Sequence, residues 1–396
     1  MIKEKKFLLI QALRVYACLL VVFGHYFFLY FKDVLHVNNI YTSYLSEYII
    51  QPLNFNIGNL GVIQFFFISG FVITMVGMRE SRFEFIVKRF FRIFPPILFS
   101  LLVIALFYII YHNIYHFTDM TKFIGANHSG GELTIGEFLR NLFLIDNDMT
   151  GVTWTLRIEA LFYLLVFVFL PLLKTKPAQL YWGISSIIIG WYISKSIWGG
   201  VIKQLYEHCY NGYLSYVVYL ISGSLFYLYY DKRIKRLDFI TLSIVFLVLL
   251  LRGHQRHYNH HGGYVLLSYG LLVLSVYLDN RISVHKALVY LGNISYSVYL
   301  NHLTSCFLLM NMAVAYFGYS DNKMMLIFLA MAFVFLGISA FSYKYVEQPA
   351  QQLARKFIKD VSLKCSTIKF PLYVSATLSF CMFFLYPMVE YLILFC

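Results

Sequence analysis

The stretch FLLIQALRVYACLLVVFGHYFFLYF, residues 7–31, decides the fold of this chain. At 1.5 Å per residue, an apolar helix of this length crosses a bilayer core of about 30 Å. It carries Arg14 and His25, and eleven steps of about 100° bring both to one face, roughly 16 Å apart along the axis. Because charge inside a membrane helix is costly, we interpret this helix as part of an active site. The alternative is that Arg14 snorkels to the near interface and His25 sits at the far one.

The composition of the whole chain excludes a soluble globule. The 396 residues are 60% apolar and 13% charged, against about 25% charged in soluble domains. The net charge of +13 comes from bases placed between apolar segments, so nucleic acid is not expected as a partner. The six cysteines are scattered without a C-x-x-C pair, which argues against a disulfide framework and a zinc site. The first apolar stretch is longer than a signal-peptide core and is expected to stay uncleaved.

Eleven apolar segments are candidate membrane spans, of which the seventh and eighth are short: about 7–31, 59–78, 95–115, 152–173, 180–199, 213–230, 238–251, 264–278, 291–316, 324–345 and 371–395. Lys and Arg concentrate on alternate connecting segments, which predicts a cytoplasmic N-terminus and an outer C-terminus. The predicted fold class is an all-α polytopic membrane protein. The outer segment at about 116–151 could be a lid, and the basic segment after the tenth span is expected to lie on the cytoplasmic leaflet.

A pair of arginines marks the inner end of the third span, in VKRFFRIFPP. Arg89 and Arg92 are three residues apart and share a helical face, while Pro95 and Pro96 suit the first turn of the following span. Two guanidinium groups near a helix start favour a phosphate site on the cytoplasmic side. Positive-inside charge or lipid headgroup binding explains the same pair equally well.

The fourth span opens with TWTLRIEALFYLL and places Glu159 inside the membrane, with Tyr163 one turn beyond. Because this span runs inward, Glu159 is expected at about the depth of His25. A carboxylate near an imidazole could hold its tautomer or raise its basicity. The alternative is a structural ion pair of Glu159 with Arg157 or Arg14.

Three further features have both a chemical and a structural interpretation. His302, one turn after Tyr299, could be a second catalytic group or a polar contact between helices, and the contact is slightly favoured. Ser69, beside Gly70, has no G-x-S-x-G surroundings, so close helix packing is favoured over a nucleophile. The loop histidines lack Cys or carboxylate neighbours, and a metal site is not expected there: His254, His257, His260 and His261.

Taken together, these residues resemble the acyltransferase-3 family of integral membrane acyltransferases. The resemblance rests on the Arg-x10-His spacing, on Arg89 and Arg92 before Pro95, and on four motifs that extend the match over residues 7 to 350: FFFISGF at 65–71, W-[ST]-L-x-x-E-x-x-F-Y at 154–163, ISYSVYLNH at 294–302 and YVEQPA at 345–350.

The resemblance implies a bundle of ten core helices that moves an acyl group, usually acetyl, from cytoplasmic acetyl-CoA to a hydroxyl of a glycan or lipid-linked sugar. It also implies the bacterial inner membrane and an acceptor such as O-antigen, as in lipopolysaccharide modification. We therefore expect an acyltransferase domain at 1–350, a basic amphipathic linker at 351–370 and an extra span at 371–396. Some family members continue into an outer hydrolase-like domain, whereas this sequence stops at Cys396.

The residues and the resemblance together suggest one path through the membrane. Arg89 and Arg92 would hold CoA phosphates at the inner face, with Arg14 further along, and His25 would act at the outer end with Glu159 beside it. A neutral imidazole suits a general base or a transient acyl carrier. Supporting or substrate-contacting roles are expected for the remaining motif residues: Trp154, Tyr163, Ser69, Tyr299 and His302. The alternative is a transporter or flippase, for which no inverted repeat or pair of broken helices is evident in the sequence.

Overall fold

The computed structural model describes residues 7–26, 39–50, 57–115, 134–147, 149–197, 215–254 and 262–365. These residues are mainly helical and include no strand, in agreement with the all-α prediction. The helices are α1 Leu8–Gly24, α2 Ile40–Leu45, α3 Ile57–Gly77, α4 Arg82–Tyr115, α5 Ile135–Leu142, α6 Thr153–Thr175, α7 Pro177–Ile197, α8 Ser215–Tyr230, α9 Arg236–His254, α10 Gly262–Leu278, α11 Lys286–Asn301, α12 Thr304–Phe317, α13 Asp321–Ser342 and α14 Gln348–Cys365.

Several of these helices are suited to a membrane. Four described segments are long and apolar enough to cross one, within α3, α4, α6 and the continuous stretch from α13 into α14, and the bent pair α11–α12 makes a fifth. Exposed apolar side chains on α4 recur every three or four residues and form one stripe suited to lipid: Leu98, Leu102, Leu106 and Ile109. The predicted eleventh span at 371–395 lies outside the described residues.

The third predicted span begins earlier than the sequence suggested. Pro95 and Pro96 lie inside α4, which runs unbroken from the basic stretch into the apolar one. The expectation that these prolines occupy a first helical turn was therefore wrong. Since proline has no backbone N–H, it removes the helical partner of the carbonyl four residues earlier. One continuous helix thus carries both the arginine pair and the membrane segment.

Helix α3 lies at the centre of the bundle and packs closely against α8. A Cβ atom on Gly70 would lie 2.0 Å from the carbonyl oxygen of Leu220, and one on Gly223 would lie 2.2 Å from that of Phe67. Only residues without a Cβ permit two backbones to approach this closely. The interpretation of Gly70 as a packing residue is confirmed, and the neighbouring Ser69 is left on a different face.

Helix α1 packs between α3 and α11, and glycines again permit the close contact of the backbones. A Cβ on Gly61 would lie 2.6 Å from the carbonyl oxygen of Ala17, and one on Gly292 would lie 2.5 Å from that of Gln11. At the start of α1, the carboxylate of Asp279 accepts a hydrogen bond from the backbone N–H of Leu9 at 2.8 Å, as a negative charge at a helix N-terminus favours. The position of α1 is thereby set along its length.

The ninth predicted span is broken. Helices α11 and α12 meet at a 66° bend, with His302 and Leu303 between them. Side chains donate hydrogen bonds to backbone carbonyl oxygens at the break. The imidazole of His302 donates to the carbonyl of Tyr299 at 2.7 Å, and the hydroxyl of Ser100 donates to that of Leu300 at 3.0 Å. Backbone groups without helical partners are tolerated inside a membrane where other protein groups bond them. The side chains of His302 and Ser100 provide such bonds and stabilise the bend.

Candidate active site

A cavity opens between α1, α3, α4, α6 and α11, with an empty volume of about 730 Å³ that includes the space where it meets solvent. Most of its wall is apolar, and its polar side chains come from all five helices. Those from the predicted set are Arg14, Ser69, Arg89, Arg92, Glu159, Tyr163 and Tyr299. The cavity therefore brings together residues that are up to 285 positions apart in the sequence.

Three arginines dominate the charge of the cavity. Arg14 comes from α1, while Arg89 and Arg92 come from one face of α4. In the part of the chain that the structure describes, none of them has a carboxylate within 4 Å. Arg89 is only 7% exposed, and its Nε has no hydrogen-bond partner there. An unpaired buried donor is costly, and an anion in the cavity would supply Arg89 with the missing partner.

Two aromatic rings lie close to the Arg89 guanidinium. Its central carbon lies 5.5 Å from the ring centroid of Phe85 and 5.7 Å from that of Tyr163. Such contacts attract a cation without using its N–H donors. These contacts stabilise the Arg89 guanidinium without occupying its N–H donors.

Glu159 belongs to this charged cluster. Its carboxylate accepts a short hydrogen bond from the hydroxyl of Tyr163, and it attracts Arg14 and Arg92 electrostatically. Arg157 turns away from the cavity and donates to the carbonyl oxygens of Leu144 and Ile145, both at 2.7 Å. Of the two ion-pair partners considered, Arg157 is bonded elsewhere, and Arg14 attracts Glu159 without an ion pair within 4 Å.

A second carboxylate, Glu347, was missed in the sequence. It lies at the end of the π-helical turn Tyr343–Glu347, is 4% exposed, and accepts a hydrogen bond from Ser297 at 3.1 Å. It also attracts Arg14 and Arg92. The only signal was its place in the YVEQPA motif. Together Glu159 and Glu347 offset part of the positive charge of the three arginines.

His25 directly follows α1 as its C-cap residue, and its partner is His302. Nδ1 of His25 and Nε2 of His302 are 2.7 Å apart, and Nδ1 of His302 is 2.7 Å from the carbonyl oxygen of Tyr299. The structure differs here from the expectation that Glu159 would orient His25. In the structure the hydrogen-bond partner of His25 is His302, which is completely buried.

The imidazole pair adjoins the cavity through Tyr299. The ring of this residue lines the cavity, its hydroxyl lies 2.8 Å from that of Thr155, and its carbonyl holds His302. Trp154 takes part in the packing around Phe66 and Tyr216, with ring centroids 6.4 and 5.2 Å away. Of the supporting residues expected from the sequence, Ser69, Tyr163 and Tyr299 line the cavity.

The histidine loop cannot be placed in this site. His257, His260 and His261 lie outside the described residues, as does most of the loop expected as a lid. Among the described residues, no three His, Cys, Asp or Glu side chains are grouped as metal ligands.

The described residues thus combine a buried cationic cavity, paired imidazoles and apolar helices long enough to cross a membrane. The family model described as an acyltransferase domain, Acyl_transf_3, matches residues 8–344. This chain belongs to the acyltransferase-3 family and is a membrane acyltransferase. Searches of curated proteins and of solved structures gave no match.

Proposed function

We propose that this protein transfers an acetyl group from acetyl-CoA to a hydroxyl of a cell-surface or lipid-linked glycan, such as O-antigen, at the bacterial inner membrane. The observation that carries the proposal is the convergence of Arg14, Arg89 and Arg92 on one cavity, without a carboxylate within 4 Å in the described part of the chain. The lipid bilayer is the protein's surroundings, and no metal takes part in the proposed reaction.

The arginine cluster suits the phosphates of CoA. A guanidinium presents several N–H donors in a rigid fork that matches phosphate oxygens. Arg89 and Arg92 project from the same face of α4, and Arg14 faces them from α1. Glu159 and Glu347 offset part of the positive charge. The three arginines still leave the cavity with a net positive charge that would attract an anion. We assign Arg89 and Arg92 to the phosphates and Arg14 to the continuation of the path.

We assign the chemistry on the acyl group to His25. It follows Arg14 on the same helix, one end of which holds the cationic cluster while the other reaches His302. We assign His25 the role of general base: its imidazole accepts the acceptor's hydroxyl proton as the oxygen attacks the thioester carbonyl. The carbon–oxygen bond forms, the carbon–sulfur bond breaks, and the CoA thiolate leaves and recovers the proton. Glu159 stabilises the charges along the path.

The proposal is tested with purified protein in lipid nanodiscs. Release of free CoA from acetyl-CoA is measured with and without glycan acceptors, and acetylated glycan is identified by mass spectrometry. His25→Ala is expected to lower the rate by about 10²–10⁴-fold, and Arg92→Ala to raise the KM for acetyl-CoA by about 10–100-fold.

Arg82→Ala is the matched control, because Arg82 lies on the same helix but donates to the carbonyl oxygen of Val168 at 2.9 Å, outside the cavity. Unchanged transfer in His25→Ala would overturn the proposed role of His25. Absence of transfer by the intact protein to any glycan would overturn the glycan assignment.

A transporter or flippase remains the second candidate, because the 66° bend between α11 and α12 is a broken span of the kind that transporters use. The same assay separates the two. A transporter moves its solute across a vesicle membrane without consuming acetyl-CoA, whereas the proposed enzyme releases CoA in proportion to the acetylated product.

A further inference from the structure

Three polar groups form a chain of hydrogen bonds beside the cavity: the carbonyl oxygen of Tyr299, the imidazole of His302 and the imidazole of His25. Both links are 2.7 Å long. The two rings are inclined by only 16°, with centroids 5.0 Å apart. Face-to-face rings stay about 3.5 Å apart, so nitrogen atoms at 2.7 Å require that the rings meet edge to edge. The contact is a hydrogen bond nearly in the plane of both rings.

The protons in this chain of hydrogen bonds follow from its first member. A carbonyl oxygen can only accept, so the Nδ1 of His302 carries the hydrogen that it donates to Tyr299. In a neutral imidazole the other nitrogen then has a lone pair, so the Nε2 of His302 accepts. The Nδ1 of His25 must therefore be the donor, and the remaining nitrogen of His25, Nε2, has no hydrogen. This hydrogen-bond network assigns the tautomer of both rings.

We propose that His302 is a positioning residue that fixes His25 in the tautomer whose Nε2 is free to accept a proton. This inference rests on the proposed function, in which His25 is the base. In the reaction, Nε2 of His25 takes the acceptor's hydroxyl proton, and the Nδ1–H of His25 continues to donate to His302. The proton later passes from Nε2 to the leaving thiolate, and no proton moves along the chain of hydrogen bonds.

His302 holds His25 as the buried aspartate holds the histidine of a serine protease, with one difference in charge. The aspartate is an anion, whereas His302 is a neutral acceptor. The pair His25–His302 is therefore uncharged before the reaction, which suits a buried position with no carboxylate bonded to either ring in the described residues.

The fold prevents His302 from turning. Its side chain is fully buried, and its own carbonyl oxygen accepts a hydrogen bond from the hydroxyl of Tyr26 at 2.7 Å. Tyr26 follows His25 directly, so two consecutive residues after α1 bond His302, His25 at its imidazole ring and Tyr26 at its backbone carbonyl. The carbonyl of Tyr299 faces the ring because the helix breaks just after it. A straight helix would use that carbonyl for its own backbone bond.

The test uses two substitutions of nearly equal shape. In His302→Gln the amide oxygen replaces the accepting Nε2, whereas His302→Met fills the same volume without a comparable acceptor. We expect His302→Gln to keep kcat within about tenfold of the intact protein, and His302→Met to lose about 10²–10⁴-fold, as a wrong tautomer does in a triad. The KM for acetyl-CoA should stay unchanged in both, since the arginines are untouched. Equal activity of the two variants would overturn the inference.

A second measurement does not depend on activity. Nitrogen chemical shifts of isotope-labelled histidine, with the His25 signals assigned by their loss in His25→Asn, report which ring nitrogen carries the hydrogen. We expect a protonated Nδ1 and a bare Nε2 on His25 in the intact protein. A hydrogen on Nε2 would refute the inference even if the variants failed to fold. If the tautomer is as expected but no acetyl transfer occurs, the proposed function fails and the tautomer assignment stands.

Discussion

Gly70 of α3 and Leu220 of α8 touch backbone to backbone, so that a Cβ on Gly70 would lie 2.0 Å from the Leu220 carbonyl oxygen. No rotamer change relieves this clash, because the obstructing atom belongs to the main chain. We expect Gly70→Ala to destabilise the bundle by more than the usual 1–3 kcal/mol of an overpacked core. Thermal unfolding in nanodiscs measures the loss.

Gly270→Ala is the control for this prediction. Gly270 lies within α10, and an added Cβ there would meet nothing within 4 Å. Since alanine is the better helix former by about 1 kcal/mol, this variant should melt at the same temperature as the intact protein or slightly higher. Equal melting temperatures for Gly70→Ala and Gly270→Ala would contradict the close crossing of α3 and α8.

Glu347 balances positive charge that the cavity holds in the absence of a ligand. Replacing it in Glu347→Gln leaves Arg14 and Arg92 with less compensation, so we expect a lower melting temperature. Added CoA should recover more of the loss than it adds to the intact protein, because its phosphates supply the missing negative charge. Glu84→Gln is the control: Glu84 forms a partly exposed pair with Lys88 at 2.5 Å, which contributes under about 1 kcal/mol.

The shape of the Arg89 side chain matters beyond its charge. A lysine in Arg89→Lys keeps the positive charge but loses the planar fork and its contact with the rings of Phe85 and Tyr163. We expect CoA affinity to fall by about tenfold, as measured by equilibrium binding, with kcat altered less. An affinity equal to that of the intact protein would show that charge alone is recognised, as lipid headgroup binding requires.

Ser69 lines the cavity but has no histidine partner among the described residues. We therefore expect Ser69→Ala to keep kcat within a few-fold, since a hydroxyl on a cavity wall contributes about one hydrogen bond at most. Ser69→Phe should abolish acetyl-CoA binding by filling the space. Complete loss of transfer in Ser69→Ala, with binding intact, would instead identify a serine nucleophile.

The sequence predicted which residues matter better than it predicted their partners. Helical periodicity placed Arg14 and His25 on one face of α1, and the structure has Arg14 in the cavity and His25 at the imidazole pair. Depth alone suggested Glu159 as the partner of His25. Axial position does not fix which direction a helix face points, and α6 presents Glu159 to the cavity together with Tyr163, one turn further along the same helix.

The missed features arise where the helices are irregular. His302 reaches His25, 277 positions away, because the chain bends between α11 and α12. Glu347 faces the arginines from the end of a π-helical turn, where the usual helical spacing does not hold. Both residues were inside motifs noted in the sequence, but periodicity could not assign contacts across a break.

The fixed position of α1 has a consequence for the geometry of the reaction. The helix is capped by Asp279 and pressed between Gly61 and Gly292, so it can neither slide nor rotate freely. The helix therefore fixes the distance and the angle between Arg14 and His25. One alanine inserted between them would advance His25 by about 1.5 Å and turn it by about 100°, away from His302. In the proposed reaction, the acyl donor must therefore span the distance from Arg14 to His25, roughly 16 Å along the helix axis.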